Sequence, residues 1–302
     1  MAKPPRKGTK RRAGLPKAPT RRSPTPGRVP SGARGRAAPG APRGKQGSGG
    51  GRRQGLGGDQ VEGRQAVREL LLAGRRRVRE IWLLSEQEPT EVLTDIVELA
   101  EAERVPVRQV SRGKFFAEAR CEAPQGVLAK AAPLEEVLLD DLAAPPAGGP
   151  PPFLVAVDGV TDPGNLGALL RSAECAGVTG VVLPRHRSVR VTAAVTKTAA
   201  GAVEWLPMAV VAGVPTALAD LKAKGVWVVG LDQDADQGIW DLSVAREPLA
   251  LVLGSEGSGL ARLTRERCDV VAALPLAGRL GSLNVSAAAA VACYEIARLR
   301  QD

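Results

Sequence analysis

Phe153-Leu154-Val155-Ala156-Val157-Asp158-Gly159-Val160-Thr161-Asp162-Pro163-Gly164-Asn165-Leu166-Gly167-Ala168-Leu169-Leu170-Arg171 is the stretch that decides the fold. Five consecutive apolar residues suit a strand buried on both faces. A turn of Gly, Asp and Pro follows, and then Leu166, Leu169 and Leu170 recur at helical spacing. The same strand–turn–helix unit returns downstream. Strands are predicted at Val178–Leu183, Val226–Leu231, Leu249–Leu253 and Val270–Leu274, and helices over Leu166–Ala176, Thr192–Ala202, Thr216–Lys224 and Val285–Leu299. Continuous Val/Leu runs alternating with helices predict an α/β unit whose parallel sheet is covered on both faces.

Working outward, residues 143–152 contain five prolines and two glycines and break all periodicity, so they read as a linker. Upstream, residues 59–142 read as a small α/β domain. Apolar residues fall at helical spacing over Val61–Leu72, and a strand is expected at Ile81–Leu84. A helix over Glu91–Arg104, strands at Val105–Val110 and Val127–Ala129, and a brief helix over Leu134–Leu142 complete it. Residues 1–58 are different. They hold 9 Pro, 14 Gly and 16 Lys/Arg with no acid, too little apolar surface to offset ordering entropy, and read as a disordered basic tail. The remaining 153–302 form the second domain.

Charge and composition exclude several classes. The whole chain of 302 residues carries a formal charge of +10. With the tail's 16 bases set aside, 26 Lys/Arg face 32 Asp/Glu, a net of −6, so the basicity belongs to the tail. Cys121, Cys175, Cys268 and Cys293 are far apart, without CxxC or metal-ligand spacing, which argues against a disulfide framework, a zinc site or any other metal. The single histidine, His186, lies in a basic loop-like stretch, which leaves triad chemistry without support. No apolar run reaches the length of a membrane span and no secretory leader is evident, so a soluble protein of a reducing compartment, the cytoplasm, is expected.

In open parallel sheets, ligands bind beyond the carboxyl ends of the strands. Three Gly-rich polar turns stand at such ends: Asp158–Gly167, Gly254–Gly259 and Gly278–Ser286. None matches a dinucleotide fingerprint or a P-loop. Singly, each has a plain structural explanation: Asn165 or Ser282 as a helix N-cap, Glu256 as a solvated acid, Arg171 as an exposed helix residue. Three of them in one domain, each following a strand, point to a site.

Asn165-Leu166-Gly167-Ala168-Leu169-Leu170-Arg171-Ser172-Ala173, Leu253-Gly254-Ser255-Glu256-Gly257-Ser258-Gly259-Leu260, and Leu274-Pro275-Leu276 running into Ser282-Leu283-Asn284-Val285-Ser286 resemble the three motifs of the SpoU/TrmH family. These are RNA ribose 2′-O-methyltransferases of the SPOUT class. Lys197-Thr198-Ala199-Ala200-Gly201-Ala202 is similar to a further family segment. The resemblance covers 59–302. The N-terminal unit is similar to the ribosomal-protein-like RNA-binding domain of the subgroup that methylates a guanosine in 23S rRNA, although Ala123-Pro124 stand where histidine is often found.

The resemblance implies a deep trefoil knot at the C-terminus, S-adenosylmethionine as cofactor, and a homodimer whose active site draws on both chains. It places the cofactor around Leu253, Gly254, Leu274, Leu276, Leu283 and Asn284. It makes Arg171 the residue acting on the 2′-hydroxyl, supported by Asn165, Glu256, Ser282 and Asn284. A guanidinium loses its proton only above about pH 12, so a fixed cation that grips phosphate and stabilises developing alkoxide stands beside the base reading. Arg64, Arg68, Arg75, Arg76, Arg77 and Arg79 form a basic cluster expected to contact rRNA, with a solvated helix face and loop as its plain reading. A tRNA methyltransferase, an adenosine-targeting rRNA methylase and a non-catalytic RNA-binding or ribosome-assembly factor remain open. The charge count carries one expectation of its own. Removing residues 1–58 should lower RNA affinity and flatten its salt dependence while leaving methyl transfer intact, and identical binding across salt concentrations would refute a role for the tail.

Overall fold

A computed structural model describes residues 55–145, 148–186 and 189–301. The N-terminal unit is a four-stranded sheet, β1 (Gln60–Glu62), β2 (Val78–Leu84), β3 (Val107–Val110) and β4 (Val127–Ala131), in the order β1-β4-β2-β3. Only β2 and β3 run parallel; the pairs involving β4 are antiparallel. Helices α1 (Arg64–Ala73) and α2 (Glu91–Ala102) cover one face, burying Ala66, Val67, Leu70, Leu71, Leu93 and Ile96 against Ile81, Leu83, Val127 and Ala129. A short helix, α3 (Arg112–Glu118), covers the other with Phe115 packed on Trp82, Val110 and Leu128.

The sequence periodicity runs a helix back to Val61, but Gly63 divides that stretch. Its φ of 98° is a left-handed conformation that ends β1 and opens α1. The expected helix at 134–142 shrinks to α4 (Leu139–Ala143), because Val137 donates its N–H to Met208 in the second sheet. Of the basic tail expected over 1–58, only residues 55–58 fall among the described residues, and they correct its boundary. Leu56 is buried in the main core, Gly58 N–H donates to the Val191 carbonyl at 2.8 Å, and Leu134 N–H donates to Gly57. A truncation that spares the fold must therefore leave residues 55–58 in place.

The second sheet has seven parallel strands in the order β7-β6-β5-β10-β8-β11-β9. They are β5 (Phe153–Val157), β6 (Gly180–Pro184), β7 (Met208–Val211), β8 (Trp227–Leu231), β9 (Gln237–Gly238), β10 (Leu249–Leu253) and β11 (Val270–Ala273). All residues of β5 and β10 are buried. Their odd positions face a core with α5 (Pro163–Cys175), α6 (Ala193–Thr198) and α9 (Val285–Gln301); their even positions face α7 (Val214–Ala223). This two-sided burial is why the strands read as unbroken apolar runs. Strands β7 and β9 and helix α8 (Arg262–Arg267) are too short for periodicity to reveal. No helix among the described residues is long and apolar enough to cross a membrane.

The two sheets are joined by more than the linker. The turn after α6 places Ala200 and Gly201 at φ of 50° and 90°, and a Cβ on Gly201 would stand 2.3 Å from Glu69 Cβ of α1. Lys197 donates to the Glu122 carbonyl, and Trp205 Nε1 to Glu69 at 3.0 Å. At the centre is Arg76. Its guanidinium makes a two-pronged bond to Glu204, with Nε 2.8 Å from Oε2, and also donates to the Gly58 and Ala132 carbonyls. The side chains are only 5% and 1% exposed. Arg76 is thus a structural cation and not the RNA contact that its place in the arginine cluster suggests. Removing one partner of a buried pair strands the other. Arg76→Ala is expected to destabilise the chain by about 3–5 kcal/mol, read as a lowered urea midpoint, while a joint Arg76→Met, Glu204→Leu replacement recovers much of the loss.

Candidate active site

Strand β10 lies between β5 and β8 in matched register: Leu253 pairs with Val157 on one side and Leu231 on the other. Three chains therefore leave the sheet side by side at Asp158, Gly254 and Asp232. The turn after β10 is narrow. Ser255 and Gly259 exchange backbone bonds of 3.0 and 3.1 Å, Gly257 and Gly259 take φ of 81° and 64°, and the Ser255 and Ser258 hydroxyls bond at 2.5 Å. Gly254 packs so tightly on this turn that a Cβ would stand 2.2 Å from the Gly259 carbonyl carbon and oxygen.

Helix α8 braces these exits from behind. Thr264, fully buried, donates to Asp158 at the end of β5, and Arg265 pairs with Asp232 at the end of β8. Asp232 also accepts from the Asp234 N–H at 3.0 Å, which folds the 232–234 turn over the sheet edge. Cys268, on the last turn of the brace, has its thiol pushed up to about 11, chiefly by burial and then by the charge of Asp269.

Beyond the strand ends lies a cavity of about 450 Å³. Leu231, Leu253, Leu274, Leu276, Leu283, Val285 and Ala288 supply its apolar wall; residues 254–259, Ser282, Asn284 and Asp232–Asp234 supply its polar groups. All six residues expected to hold a cofactor, Leu253, Gly254, Leu274, Leu276, Leu283 and Asn284, line it. The reading of the sequence missed Leu231 and Asp232–Asp234. The signal was available, since Asp-Gln-Asp follows a strand as the three chosen turns do, but it carries no glycine.

Glu256, Asn165 and Asn284 meet at the mouth of the cavity although they are far apart in sequence. Glu256 Oε1 accepts from Asn165 Nδ2 and, at 3.1 Å, from Asn284 Nδ2. Asn284 Nδ2 also donates to Asn165 Oδ1 at 3.0 Å. The amide orientations follow from helix capping. Asn284 Oδ1 accepts from the Ser286 N–H at 2.9 Å and from Ala287, so it caps α9 and its NH₂ must face Asn165 and Glu256. Asp162, not Asn165, caps α5, accepting from the Asn165 N–H at 2.7 Å. That leaves the Asn165 amide free to turn inward.

The other expected residues are placed differently. Ser282 lies exposed on the cavity rim and makes no hydrogen bond among the described residues. Arg171 stands six residues beyond Asn165 on α5, about 9 Å along the helix axis. It is exposed, lines no part of the cavity, and has no hydrogen bond or salt bridge among the described residues. Its charge is felt by Cys175, whose thiol is nonetheless raised, first by burial and then by Glu174. His186 lies exposed on the turn after β6.

The arginine cluster is divided in use. Arg64 bonds to Gln125 and Thr90, Arg68 to Asp95 and Glu69, and Arg75 lies 5.8 Å from the Trp205 ring while donating to its carbonyl. Arg76 is buried as described. Arg77 and Arg79 are exposed, and their side chains make no hydrogen bond or salt bridge among the described residues. No group of three or more His, Cys, Asp or Glu among the described residues could hold a metal ion.

Residues 152–294 match the SpoU rRNA Methylase family, and residues 60–137 match the RNA 2′-O ribose methyltransferase substrate-binding family. The chain is 40% identical over 246 residues to the 23S rRNA (guanosine-2′-O-)-methyltransferase RlmB of Pseudomonas putida, covering 80% of this chain and 97% of that one. It is 41% identical to the protein of the same name from Pseudomonas aeruginosa, with coverage of 80% and 97%. Among solved structures it resembles the SpoU methyltransferase AviRb of Streptomyces viridochromogenes, in complex with AdoMet, with a TM-score of 0.68 and 24% identity over 80% of this chain and 90% of that one. Gly254 offers a direct test of the cavity. Gly254→Ala is expected to force the 254–259 turn open and weaken S-adenosylmethionine binding at least about tenfold by calorimetry. Gly278→Ala, where a Cβ meets nothing within 4 Å, should leave it unchanged.

Proposed function

The chain belongs to the SpoU rRNA methylase family, and on that premise we propose that it transfers a methyl group from S-adenosylmethionine to the ribose 2′-hydroxyl of a guanosine in 23S rRNA. The observation that carries this reading is the Asn165–Glu256–Asn284 cluster at the mouth of a cavity built on adjacent strand ends, apolar on one wall and polar on the other. A non-catalytic RNA-binding factor has no need of such a cavity. The guanosine and the 23S rRNA come from relatives that this chain matches over 97% of their length.

The cavity fits the cofactor. A pocket of about 450 Å³, with a leucine-rich wall and backbone groups of a Gly-rich turn, suits a neutral nucleobase and a sulfonium. Leu253, Gly254, Leu274, Leu276, Leu283 and Asn284 would hold it, with Leu231 and Asp232–Asp234 as a further wall. When bound, it supplies an already activated methyl group to an incoming oxygen.

What remains for the protein is alignment and charge. Asn165, Glu256 and Asn284 hold the 158–165, 254–259 and 282–286 turns in one arrangement, and Ser282 on the rim takes part in orienting the ribose. Arg171 acts as a fixed cation, holding the target phosphate and stabilising negative charge that develops on the 2′-oxygen. The hydroxyl proton leaves to solvent at the exposed rim.

Arg171 lies outside the cavity of its own chain, which favours a homodimer in which each site draws on both copies. The apolar side chains left exposed on and before α9, Leu280 (81%), Leu283, Val291 and Tyr294, suit the buried face of such a dimer. A deep trefoil knot in the C-terminal region is consistent with the packing of α9 on α5 and of the 282–286 turn against the two turns after β5 and β10. The N-terminal unit serves as the rRNA-binding domain, with Arg77 and Arg79 as its unbonded arginines within the cluster. Residues 1–54 act as a polybasic RNA arm, and the site of action is the cytoplasm.

The deciding experiment supplies labelled S-adenosylmethionine and large-subunit rRNA lacking its 2′-O-methyls, and maps the labelled nucleotide. Label on one guanosine ribose is expected. Label on tRNA or on an adenosine would overturn the substrate, and no label with no cofactor bound would overturn the activity. Arg171→Ala should lower kcat about 10²–10³-fold with cofactor affinity unchanged. A titrating arginine base requires the wild-type rate to rise with pH, whereas a fixed cation does not require it, so a flat pH–rate profile would rule out the base.

A further inference from the structure

Helix α3 holds an aromatic ring in solvent that its own packing does not need. Phe115 fills the core beneath the helix and is fully buried, whereas its neighbour Phe116 is 46% exposed. The two rings meet edge to face, 5.6 Å apart at 77°, so Phe116 is braced rather than loose. Arg112, one turn earlier, lies with its guanidinium carbon 5.2 Å from the Phe116 ring centre. Gly113 lies three residues before Phe116 and so beside it on the helix surface. A Cβ at Gly113 would meet nothing within 4 Å, so no neighbour requires a glycine there, and its effect is to leave one flank of the ring uncovered.

The charges around this ring are unevenly satisfied. Arg108 and Lys130 pair with Glu80, Lys130 also with Glu118, and Arg120 with Asp59. Arg112 and Lys114 have no carboxylate among the described residues; Lys114 instead stands 5.0 Å from the Trp82 ring. An exposed, braced aromatic ring with the unneutralised Arg112 against it, and the unneutralised Lys114 two residues away on the same helix, suits a nucleobase with its phosphates. A protein partner would call for a broader apolar surface than one phenyl ring. Duplex RNA keeps its bases stacked inside, so the ligand is single-stranded.

We propose that Phe116 is a stacking site for an unpaired base of the RNA substrate, with Arg112 and Lys114 holding its flanking phosphates. This rests on the RNA-methyltransferase reading for its biological meaning, but not for its test. The site differs from the arginine cluster at residues 64–79, most of whose cations are engaged within the protein.

The probe is a single-stranded oligoribonucleotide carrying 2-aminopurine, titrated into the full chain. Wild type should quench its fluorescence on binding; Phe116→Ala should abolish the quench and weaken binding about tenfold, and Phe116→Trp should restore both. Joint replacement of Arg112 and Lys114 by Ala should reduce the salt slope of binding by about one to two. In methyl transfer, Phe116→Ala should raise KM for 23S rRNA about tenfold, with kcat and S-adenosylmethionine affinity unchanged. Equal quenching and affinity in wild type and Phe116→Ala would overturn the proposal, as would absence of quenching by wild type. Failure of wild type to methylate 23S rRNA, with a quench that still depends on Phe116, would sink the substrate assignment and leave the stacking site standing.

Discussion

The insertion of β10 between β5 and β8 is the constraint on which the rest of the catalytic unit depends. Each residue from Leu249 to Leu253 pairs on both sides, and all five are buried. A strand hydrogen-bonded on both edges and apolar on both faces has one favourable register, because a slip would leave buried N–H and C=O groups without partners. That register brings the chain exits at Asp158, Asp232 and Gly254 together. The cavity and the Asn165–Glu256–Asn284 cluster follow from it.

The docking of the N-terminal unit is a second, separable solution to the same problem of burying polar groups. Arg76 and Glu204 lose water together, and the remaining guanidinium donors go to the Gly58 and Ala132 carbonyls, so little is left unpaired. The segment 197–202 works from both sides. It packs α6 against α5, where a Cβ on Gly167 would lie 2.6 Å from Thr198, and it meets α1 and the 122–125 turn through Lys197 and Gly201. The helix that carries Asn165 and Arg171 is therefore in mechanical contact with the RNA-side unit through six residues.

Charge is distributed economically over the folded unit. With a net of −6 outside the basic tail, RNA affinity must come from cations not already neutralised, and an arginine count alone overstates them. Arg64, Arg68, Arg75 and Arg76 spend part or all of their donors on protein groups, while Arg77, Arg79, Arg112 and Lys114 keep their charge unmatched. Arg112 lies against the exposed Phe116 ring and Lys114 over Trp82, an arrangement that suits a ligand-facing surface better than a solvated one.

Elements with long unbroken periodicity were legible from the residues: Leu249–Leu253 coincides with its predicted bounds, and β5, α5, α2 and α9 lie within a few residues of theirs. Short elements without an unbroken apolar run, such as α3 and α8, escaped because so short a window cannot separate a period of 2 from 3.6. The three Gly-rich turns could be read as a site because glycine, asparagine and acid recur after apolar runs. Which residue caps each helix was not readable, since Asp162 and Asn284 compete with Asn165 and Ser282 for that role with similar chemistry. By itself the sequence determined the layered α/β architecture, the position of the turns at strand ends, and the confinement of net positive charge to the tail. These follow from local periodicity and counting. Only the tertiary structure decided that Arg76 is buried, that Arg171 stands away from its own cavity, and that Asp232 joins the wall. Each depends on which distant strand or helix lies alongside, and pairing across long loops leaves no local mark.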